Sequence, residues 1–305
     1  QEELAQYAGL CGLPLPERES QALLSVSEGW IAMVYLIFRA YAQTGTWRFD
    51  TKGMDTLIEQ VMFEPLPERQ RLFLLDNCMA EDFSAAQAAF VWQAPDADVL
   101  LHDLTHNNAF ITESTPGVYR YHHMLRQLLR RKFALLPQSA QTDACRRLGS
   151  WYERTGEYLT AAEFFRQAGD WDGLLRTAAA DCGKSIGGEH RQMLLSWCRG
   201  CPEDALRRHP DAVCVLMRKL FSFREIPELM RLRAILLDAL QPGGAFPERE
   251  RENYLGECDL VMSFLRYNDI AAMSVLHRSA CKRMTRTTRC IDLGGTWTFG
   301  SPSIL

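Results

Sequence analysis

Apolar residues recur at helical spacing through the second half of this chain. In "WYERTGEYLTAAEFFRQAGDWDGLLRTAA", Tyr158, Ala161 and Phe165 lie on one stripe with Ala162. Gly156 and Gly169 break that segment into three predicted helices. Two later segments repeat the stripe, at Val213, Leu216, Met217 and Leu220 and at Tyr254, Cys258, Val261, Met262 and Leu265. Helix pairs recurring roughly every 35–45 residues, with no strand signal after residue 137, predict an α-solenoid of the tetratricopeptide kind.

The first half has a different pattern. "PERESQALLSVSEGWIAMVYLIFRAYAQTG" carries Val34, Ile37, Phe38 and Tyr41 at helical spacing and predicts a helix that ends at Gly45. Two or three short helices follow. Ala109–Thr112 and Val118–Tyr121 are β-prone runs that flank the turn "STPG", which predicts a hairpin. Three helices, a hairpin and a helix are the pattern of a winged-helix domain.

These patterns predict a mainly α fold with three parts. Residues 1–49 form a helical region, residues 50–136 a winged-helix domain, and residues 137–305 a degenerate repeat domain of tetratricopeptide-like helix pairs. The chain begins with Gln and stops at the Gly/Ser-rich "GGTWTFGSPSIL". We therefore expect an internal fragment of a longer protein, truncated within its repeat domain.

Composition narrows the class of protein. The chain is 47% hydrophobic and 24% charged, with a formal net charge of −4, as in ordinary globular proteins. A mildly acidic total argues against a chain-wide nucleic-acid surface. The longest apolar run, Trp30–Phe38, is far shorter than the roughly 20 residues that span a bilayer, so no membrane contact is expected. The first residues do not form a signal peptide, and ten scattered cysteines suit reduced thiols, so we expect a cytoplasmic protein.

Cys198 and Cys201 in "SWCRGCPEDALRRHPD" have the Cys-x-x-Cys spacing of a thiol–disulfide exchange site. A reactive thiolate needs a helix N-terminus after a strand, whereas "GGEHRQMLLSWCRG" predicts a helix that ends near Cys198. Pro202 is expected to open the next short helix. Cys182 and His190 complete no recognised zinc pattern with the pair. We therefore predict two structural cysteines.

Two other clusters of polar residues, a histidine pair and a basic helix end, can each be interpreted as a functional site or as an ordinary structural feature. His102 and His106 at i, i+4 resemble half of a metal site, but no third ligand is evident, which favours an exposed polar face. The second cluster is the basic end of a helix, which could contact DNA or complement the helix dipole. Its members are Arg126, Arg130, Arg131 and Lys132.

A histidine pair stands between a predicted strand and an amphipathic helix in "VYRYHHMLRQLLRRKF". The strand ends at Tyr121, and Met124, Leu125, Leu128 and Leu129 mark the apolar face of the helix. A histidine at a helix start can present a ring N–H to an anion beside free backbone amides. The alternative is a capping histidine in a strand–helix turn. The residues alone favour the cap.

Four stretches, in order, resemble the large ATP-dependent transcriptional regulators of the MalT/LuxR type, a branch of the STAND-class signalling ATPases. "SEGWIAMVYL" resembles the helix that follows their ATPase core. "YRYHHMLRQLLRRKF" resembles the hydrophobic-His-Asp motif that closes their winged-helix domain. "WYERTGEYLTAAEFFRQAGDWDGLLRTA" resembles the opening of their repeat domain, and "LLSWCRGCPEDALRRHPD" a later repeat segment.

The resemblance implies a nucleotide-sensing role for His122, whose equivalent touches the phosphate of bound nucleotide and holds the resting form. His123 stands where the family has Asp, a departure from the pattern. Residues 1–49 would be lid helices behind an ATPase core. No G-x-x-x-x-G-K-[ST] phosphate loop and no C-terminal helix-turn-helix occurs in the sequence. ATP or ADP would therefore be a cofactor of the parent protein alone, and we predict no catalytic residues, no metal and no cofactor in this fragment.

We therefore predict the winged-helix switch and helical-repeat sensor region of such a regulator. An inducer or partner protein would bind the repeats, and DNA would be contacted only through an absent C-terminal domain. Trp151, Trp171 and Trp197 are candidates for that binding surface or for the core. Two rivals remain open: a tetratricopeptide-like protein-binding scaffold without a nucleotide switch, and a thiol oxidoreductase.

Overall fold

A computed structural model of the protein describes residues 2–27, 31–47, 58–107 and 111–289, together with Thr56. Most of these residues are helical, so the predicted mainly α class is confirmed. Contacts between Cα atoms divide the chain into two compact units, residues 1–144 and 145–305. None of the helices in the described ranges has the length and hydrophobicity needed to cross a membrane.

Three helices open the first unit: α1 (Glu2–Leu10), α2 (Glu17–Ser27) and α3 (Ile31–Thr44). Three members of the predicted apolar stripe of α3, Val34, Ile37 and Phe38, are buried, and the fourth, Tyr41, is half-buried. The helix ends before Gly45, whose φ of 67° lies in the left-handed region that glycine tolerates. Part of the motif "SEGWIAMVYL", residues 28–30, lies outside the described residues.

A winged-helix arrangement follows a π-helical turn at Glu59–Phe63. Its elements are α4 (Glu68–Asn77), β1 (Asp82–Ser84), α5 (Ala85–Trp92), α6 (Ala97–Asn107), β2 (Ile111–Thr115), β3 (Val118–Tyr121) and α7 (His123–Ala134). The three strands form one antiparallel sheet in the order β1-β3-β2. Three helices, a hairpin and a helix are thus present in the predicted order.

The hairpin differs in detail from the prediction. Its first strand continues to Thr115, beyond the predicted end at Thr112. The predicted start at Ala109 falls within residues 108–110, which lie outside the described part of the chain. The strand continues to Thr115 because Gly117, with φ 77°, makes the turn and gives its N–H to Glu113 Oε1 at 2.6 Å. Strand β1 was not predicted, since three residues are too few to reveal an alternating pattern.

Helix α7 is held in the winged-helix domain by its apolar face. Leu125, Leu128, Leu129 and Phe133 are all buried on that face. Fully burying side chains of this size stabilises a fold by about 1.5–3 kcal/mol each before the entropy cost of ordering them. Helix α4, which packs against α7, contributes the fully buried Phe73, and Leu104 on α6 is buried as well. The start of α7 is therefore fixed by packing rather than by local propensity.

Every regular element among the described residues of the second unit is a helix. Its elements are α8 (Gln138–Thr155), which begins in the first unit, α9 (Tyr158–Gln167), α10 (Trp171–Ala180), a 3₁₀ turn (Gly188–His190), α11 (Arg191–Gly200), α12 (Glu203–Arg208), α13 (Pro210–Ser222), α14 (Ile226–Ala239), α15 (Glu248–Ser263), a 3₁₀ turn (Phe264–Arg266) and α16 (Ile270–Arg283). Gly156 and Gly169 separate α8, α9 and α10 as predicted, with φ of 82° and 67°.

Neighbouring helices pack as successive pairs, α9 with α10, α13 with α14, and α15 with α16. Helix α13 also contacts α10 before it and α15 after it, so its surface is covered from both sides. Val213, Leu216, Met217 and Leu220 are all buried there, as their spacing predicts. Helix α13 thus connects its own pair to the pairs before and after it. Contacts between successive helix pairs are typical of helical-repeat proteins.

A short segment after α16 returns to α15 and is fixed by one buried carboxylate. Glu257 is 1% exposed and accepts hydrogen bonds from Arg286 Nη1 at 2.8 Å, Thr288 Oγ1 at 2.5 Å and the Arg289 N–H at 2.6 Å. Asn253 Oδ1 accepts the N–H of Thr285 at 2.8 Å. These bonds compensate the cost of burying the Glu257 charge.

Candidate functional site

The histidine pair lies where β3 passes into α7, as the sequence predicts. Strand β3 ends at Tyr121 and α7 begins at His123. His122 between them has an extended backbone, with φ −57° and ψ 137°, and its carbonyl oxygen accepts the N–H of Arg126 at 3.0 Å. His122 is therefore the residue that caps α7.

The two imidazoles have different exposure. Their ring centroids are 4.4 Å apart at an interplanar angle of 35°. His123 is exposed, whereas His122 is half-buried with its Nδ1 atom shielded from solvent. Because α7 is held by its core face, the rings stand at the start of a rigid helix.

The support beneath the pair is an apolar and aromatic cluster. Tyr121 is 2% exposed, and its ring centroid lies 5.0 Å from that of Phe83 on β1. Burial raises the pKa of the Tyr121 hydroxyl well above its usual range. Burial also raises the pKa of the neighbouring Cys78 thiol to about 12. Both groups are therefore neutral at physiological pH and supply no negative charge beside the histidines.

The helix N-terminus sets the electrostatics of this site. The first turn of α7, "HMLR", contains no acidic residue. Backbone N–H groups of a first helical turn have no partner within the helix and carry a partial positive charge. Two imidazoles beside such a terminus suit an anionic group such as a phosphate.

Three of the four basic residues predicted near the end of α7 make contacts within the domain. Lys132 forms an ion pair with Glu59. Arg130 Nη2 donates to the carbonyl oxygen of Met79 at 3.2 Å, and Arg126 Nη1 lies 3.6 Å from Glu81 Oε1. Their positions favour the structural interpretation of the cluster over a DNA contact.

His102 and His106 lie on the exposed face of α6. Their rings stack with centroids 4.0 Å apart, and His106 Nδ1 is 3.0 Å from the carbonyl oxygen of His102. Across the described ranges, no three His, Cys, Asp or Glu side chains are grouped as metal ligands. The pair borders an open groove between α6 and the hairpin.

Cys198 and Cys201 are buried free thiols at the end of α11. Burial raises the pKa of Cys198 to about 12 and that of Cys201 to about 11. Pro202 lies at the cap of α12, one residue before the helical position predicted for it. Neither thiol has the low pKa of an exchange site, which argues against a thiol oxidoreductase.

The three tryptophans differ in burial. Trp197 is 1% exposed and belongs to the core. Trp151 and Trp171 are half-buried. Trp171 packs against α11 so closely that a Cβ on Gly200 would lie 3.1 Å from its Cη2. The Trp171 ring therefore supports helix packing.

The helical unit also contains a cavity of about 320 Å³, at residues to which no sequence motif pointed. Its polar lining includes Arg176, His209, Asp211 and Arg289. His209 Nε2 is 2.8 Å from Asp172 Oδ1, and Arg176 pairs with Glu153 at 2.8 Å. No local spacing could have revealed this cavity, because its residues come from α10, α13 and the segment after α16.

The sheet order, the hairpin and the helix that follows define the class of residues 58–142 as a winged-helix domain. Those residues match the family model of the MalT winged helix domain. The predicted resemblance is therefore confirmed at the winged-helix domain, which is similar to that of MalT.

Curated relatives match about half of the chain. It is 25% identical over 167 residues to the HTH-type transcriptional regulator AlkS of Alcanivorax borkumensis, covering 53% of this chain and 19% of that protein. It is 23% identical over 166 residues to AlkS of Ectopseudomonas oleovorans, covering 52% and 18%. The serine/threonine-protein kinase PknK of Mycobacterium tuberculosis is 23% identical over 168 residues, with 52% and 15% covered. In each case the match spans less than a fifth of the relative, and no solved structure matches significantly.

Proposed function

We propose that this chain is the switch and sensor region of a cytoplasmic transcriptional regulator of the MalT/LuxR type. The observation that carries the proposal is the MalT winged-helix match at residues 58–142, together with similarity to regulators named AlkS. The chain itself has no assigned catalytic residues and acts as a coupling element rather than an enzyme.

His122 is the proposed nucleotide sensor. In the parent protein, ATP or ADP would place a phosphate beside the start of α7, where His122 and the first-turn N–H groups favour negative charge. The residues fit such a group, because the first turn has no acidic side chain and the buried neighbours Tyr121 and Cys78 are neutral. His122 would hold the phosphate through a ring N–H and so favour the resting form.

The helical unit is the proposed sensor. Its successive helix pairs support a tetratricopeptide-like repeat domain over residues 137–305, behind a lid region at 1–49 and a winged helix at 50–136. An inducer or partner protein would bind its surface, for which the cavity beside Arg176 and His209 is a candidate position. Promoter DNA would be contacted through another domain of the parent protein.

The test replaces His122 with Ala in the intact regulator and measures reporter expression without inducer. We expect higher basal expression and faster nucleotide release, because the resting form loses its phosphate contact. Gln127→Ala, an exposed change on the same helix, is the matched control and should leave both unchanged. Unchanged expression and nucleotide retention in the His122 variant would contradict the sensor role.

The second candidate is a protein-binding scaffold without a nucleotide switch, favoured by the packing of successive helix pairs alone. It predicts that the intact protein retains no ATP or ADP through purification. Nucleotide analysis of the purified parent by chromatography therefore separates the two functions. Bound nucleotide supports the switch, and none supports the scaffold.

A further inference from the structure

An open groove of about 740 Å³ lies between α6 and the β2–β3 hairpin of the winged-helix domain. Its apolar floor includes Leu101 and Ile111, each 3% exposed, with Tyr119 beside them. Polar groups stand at its edges: Asp98 and the stacked pair His102 and His106 on α6, and Glu113 on β2. The groove thus combines an apolar floor, aromatic rings and carboxylates.

The carboxylates of Asp98 and Glu113 are the strongly charged groups among the described lining residues of the groove. Among its described lining residues there is no lysine or arginine, and the eleven residues of α6, "ADVLLHDLTHN", contain two aspartates and no strong base. Phosphates of DNA would meet these carboxylates without compensating cations, so a nucleic-acid backbone is disfavoured. The groove is complementary to a cation.

We propose that this groove binds an arginine side chain presented by a separate protein partner. The planar guanidinium would pair with the carboxylates of Asp98 and Glu113, because its fork of N–H donors matches carboxylate oxygens. Guanidinium also stacks on aromatic faces, which the rings of His102 and Tyr119 offer. The aliphatic stem would cover Leu101 and Ile111.

The chemistry favours arginine over lysine and a partner over the domain itself. A lysine ammonium is a compact point charge that does not stack, so it would leave the aromatic rings unused. Two arginines of the domain have other partners: Arg69 pairs with Asp96, and Arg120 pairs with Asp82. The proposal is independent of the nucleotide role of His122, since it uses other residues.

Fluorescence anisotropy of the full 305-residue chain with labelled hexa-arginine and hexa-lysine peptides tests the proposal. We expect hexa-arginine to bind several-fold more tightly than hexa-lysine, as stacking requires. Replacing both groove acids, Asp98→Lys with Glu113→Lys, should weaken hexa-arginine binding about tenfold or more. The matched double reversal Glu64→Lys with Glu68→Lys, at exposed acids that do not line the groove, should change it by less than about twofold.

Two results would overturn the proposal. Equal losses in the two double variants would mean diffuse attraction to an acidic chain, and equal affinity for the two peptides would exclude guanidinium recognition. His102→Ala and Asp98→Asn are milder second variants that guard against misfolding of the charge reversals. Each should weaken hexa-arginine binding while leaving the circular dichroism spectrum unchanged, and unaltered binding in both would equally overturn the assignment.

Discussion

The ring of Phe165 lies directly against the backbone of Gly173: a Cβ added at position 173 would come within 2.7 Å of its Cδ1 atom. The same ring meets Gly149, where an added Cβ would lie 2.9 Å away. Phe165 is 1% exposed and therefore cannot swing into solvent to make room. One aromatic side chain thus allows α8, α9 and α10 to approach closely.

Gly173→Ala should therefore destabilise the helical unit, although alanine is the better helix former. Overpacking a buried site costs about 1–3 kcal/mol, against a propensity gain of about 1 kcal/mol. Urea unfolding measures the difference. Gly9→Ala on α1, where an added Cβ meets nothing within 4 Å, is the control and should be neutral or stabilising. Equal behaviour of the two variants would contradict the packing argument.

Glu257→Ala should release the segment that follows α16. The change removes the acceptor of three hydrogen bonds, each of which contributes about 0.5–1.5 kcal/mol, or up to about 3 kcal/mol where the acceptor is charged. Glu257→Gln keeps one acceptor oxygen and should lose less. Hydrogen exchange at the amides of Thr285 and Arg289 reports the release directly. Glu248→Gln, an exposed change at the start of α15, should leave those amides protected.

Thiol reactivity should follow burial. In the native chain at about pH 8, exposed Cys11 and Cys281 should react rapidly with an alkylating reagent, while Cys198 and Cys201 remain unmodified. Mass spectrometry of the labelled peptides identifies each site. Rapid modification of Cys198 in the folded protein would revive the exchange-site interpretation.

The same thiols predict a loss of stability at alkaline pH. Burial raises the pKa of Cys198 from 9.0 to about 12, so the folded state holds its proton more tightly than the unfolded chain. The contribution is complete below about pH 9 and is lost as the pH rises toward 12. Cys198→Ala should therefore flatten the decline in unfolding free energy between pH 9 and pH 10.5. An unchanged slope would contradict the prediction.

Asp82 predicts a second pH dependence, at the acid end. Arg120 lies opposite it in the β1–β3 register and donates from Nη2 at 2.5 Å, which lowers the pKa of the Asp82 carboxyl. A lowered pKa means stability that is present above the unfolded value of about 3.8 and lost as the pH falls below it. Asp82→Asn should weaken the domain modestly at pH 7, because both partners are partly exposed, and by less at pH 3. Unfolding of Asp98→Asn, which breaks no such pair, is the comparison.

Helices were predictable from the sequence where amphipathic stripes were long. The breaks at Gly156 and Gly169 and the buried face of α13 follow from spacing and glycine conformation alone. Strand β1 was not predictable, because its three residues become a strand only by pairing with β3. The end of β2 was missed for a related reason: the Glu113–Gly117 hydrogen bond sets the turn, and the hydrophobic pattern does not record it.

The candidate site was predictable in part. The sequence placed His122 between a strand and a helix because the apolar stripe of α7 starts immediately after it. The groove beside α6 was not predictable, since Asp98, Glu113 and Tyr119 come from three elements that meet only in the folded domain. The two aspartates of α6 and its lack of lysine and arginine are visible in the sequence and disfavour a DNA contact by this helix. Relating this composition to a groove also required knowing which face of α6 is exposed, and only the folded structure shows that.

Helix α7 has a further consequence for how a signal at the histidine pair would travel. Its twelve residues extend about 18 Å, with His123 in solvent at one end and Phe133 buried near the other. Between these two ends, Leu125 and Leu129 anchor the helix in the hydrophobic core. We therefore expect a displacement of the first turn to move α7 as one rigid body. Such a movement would shift the buried side chains of the helix and so disturb the hydrophobic core of the domain.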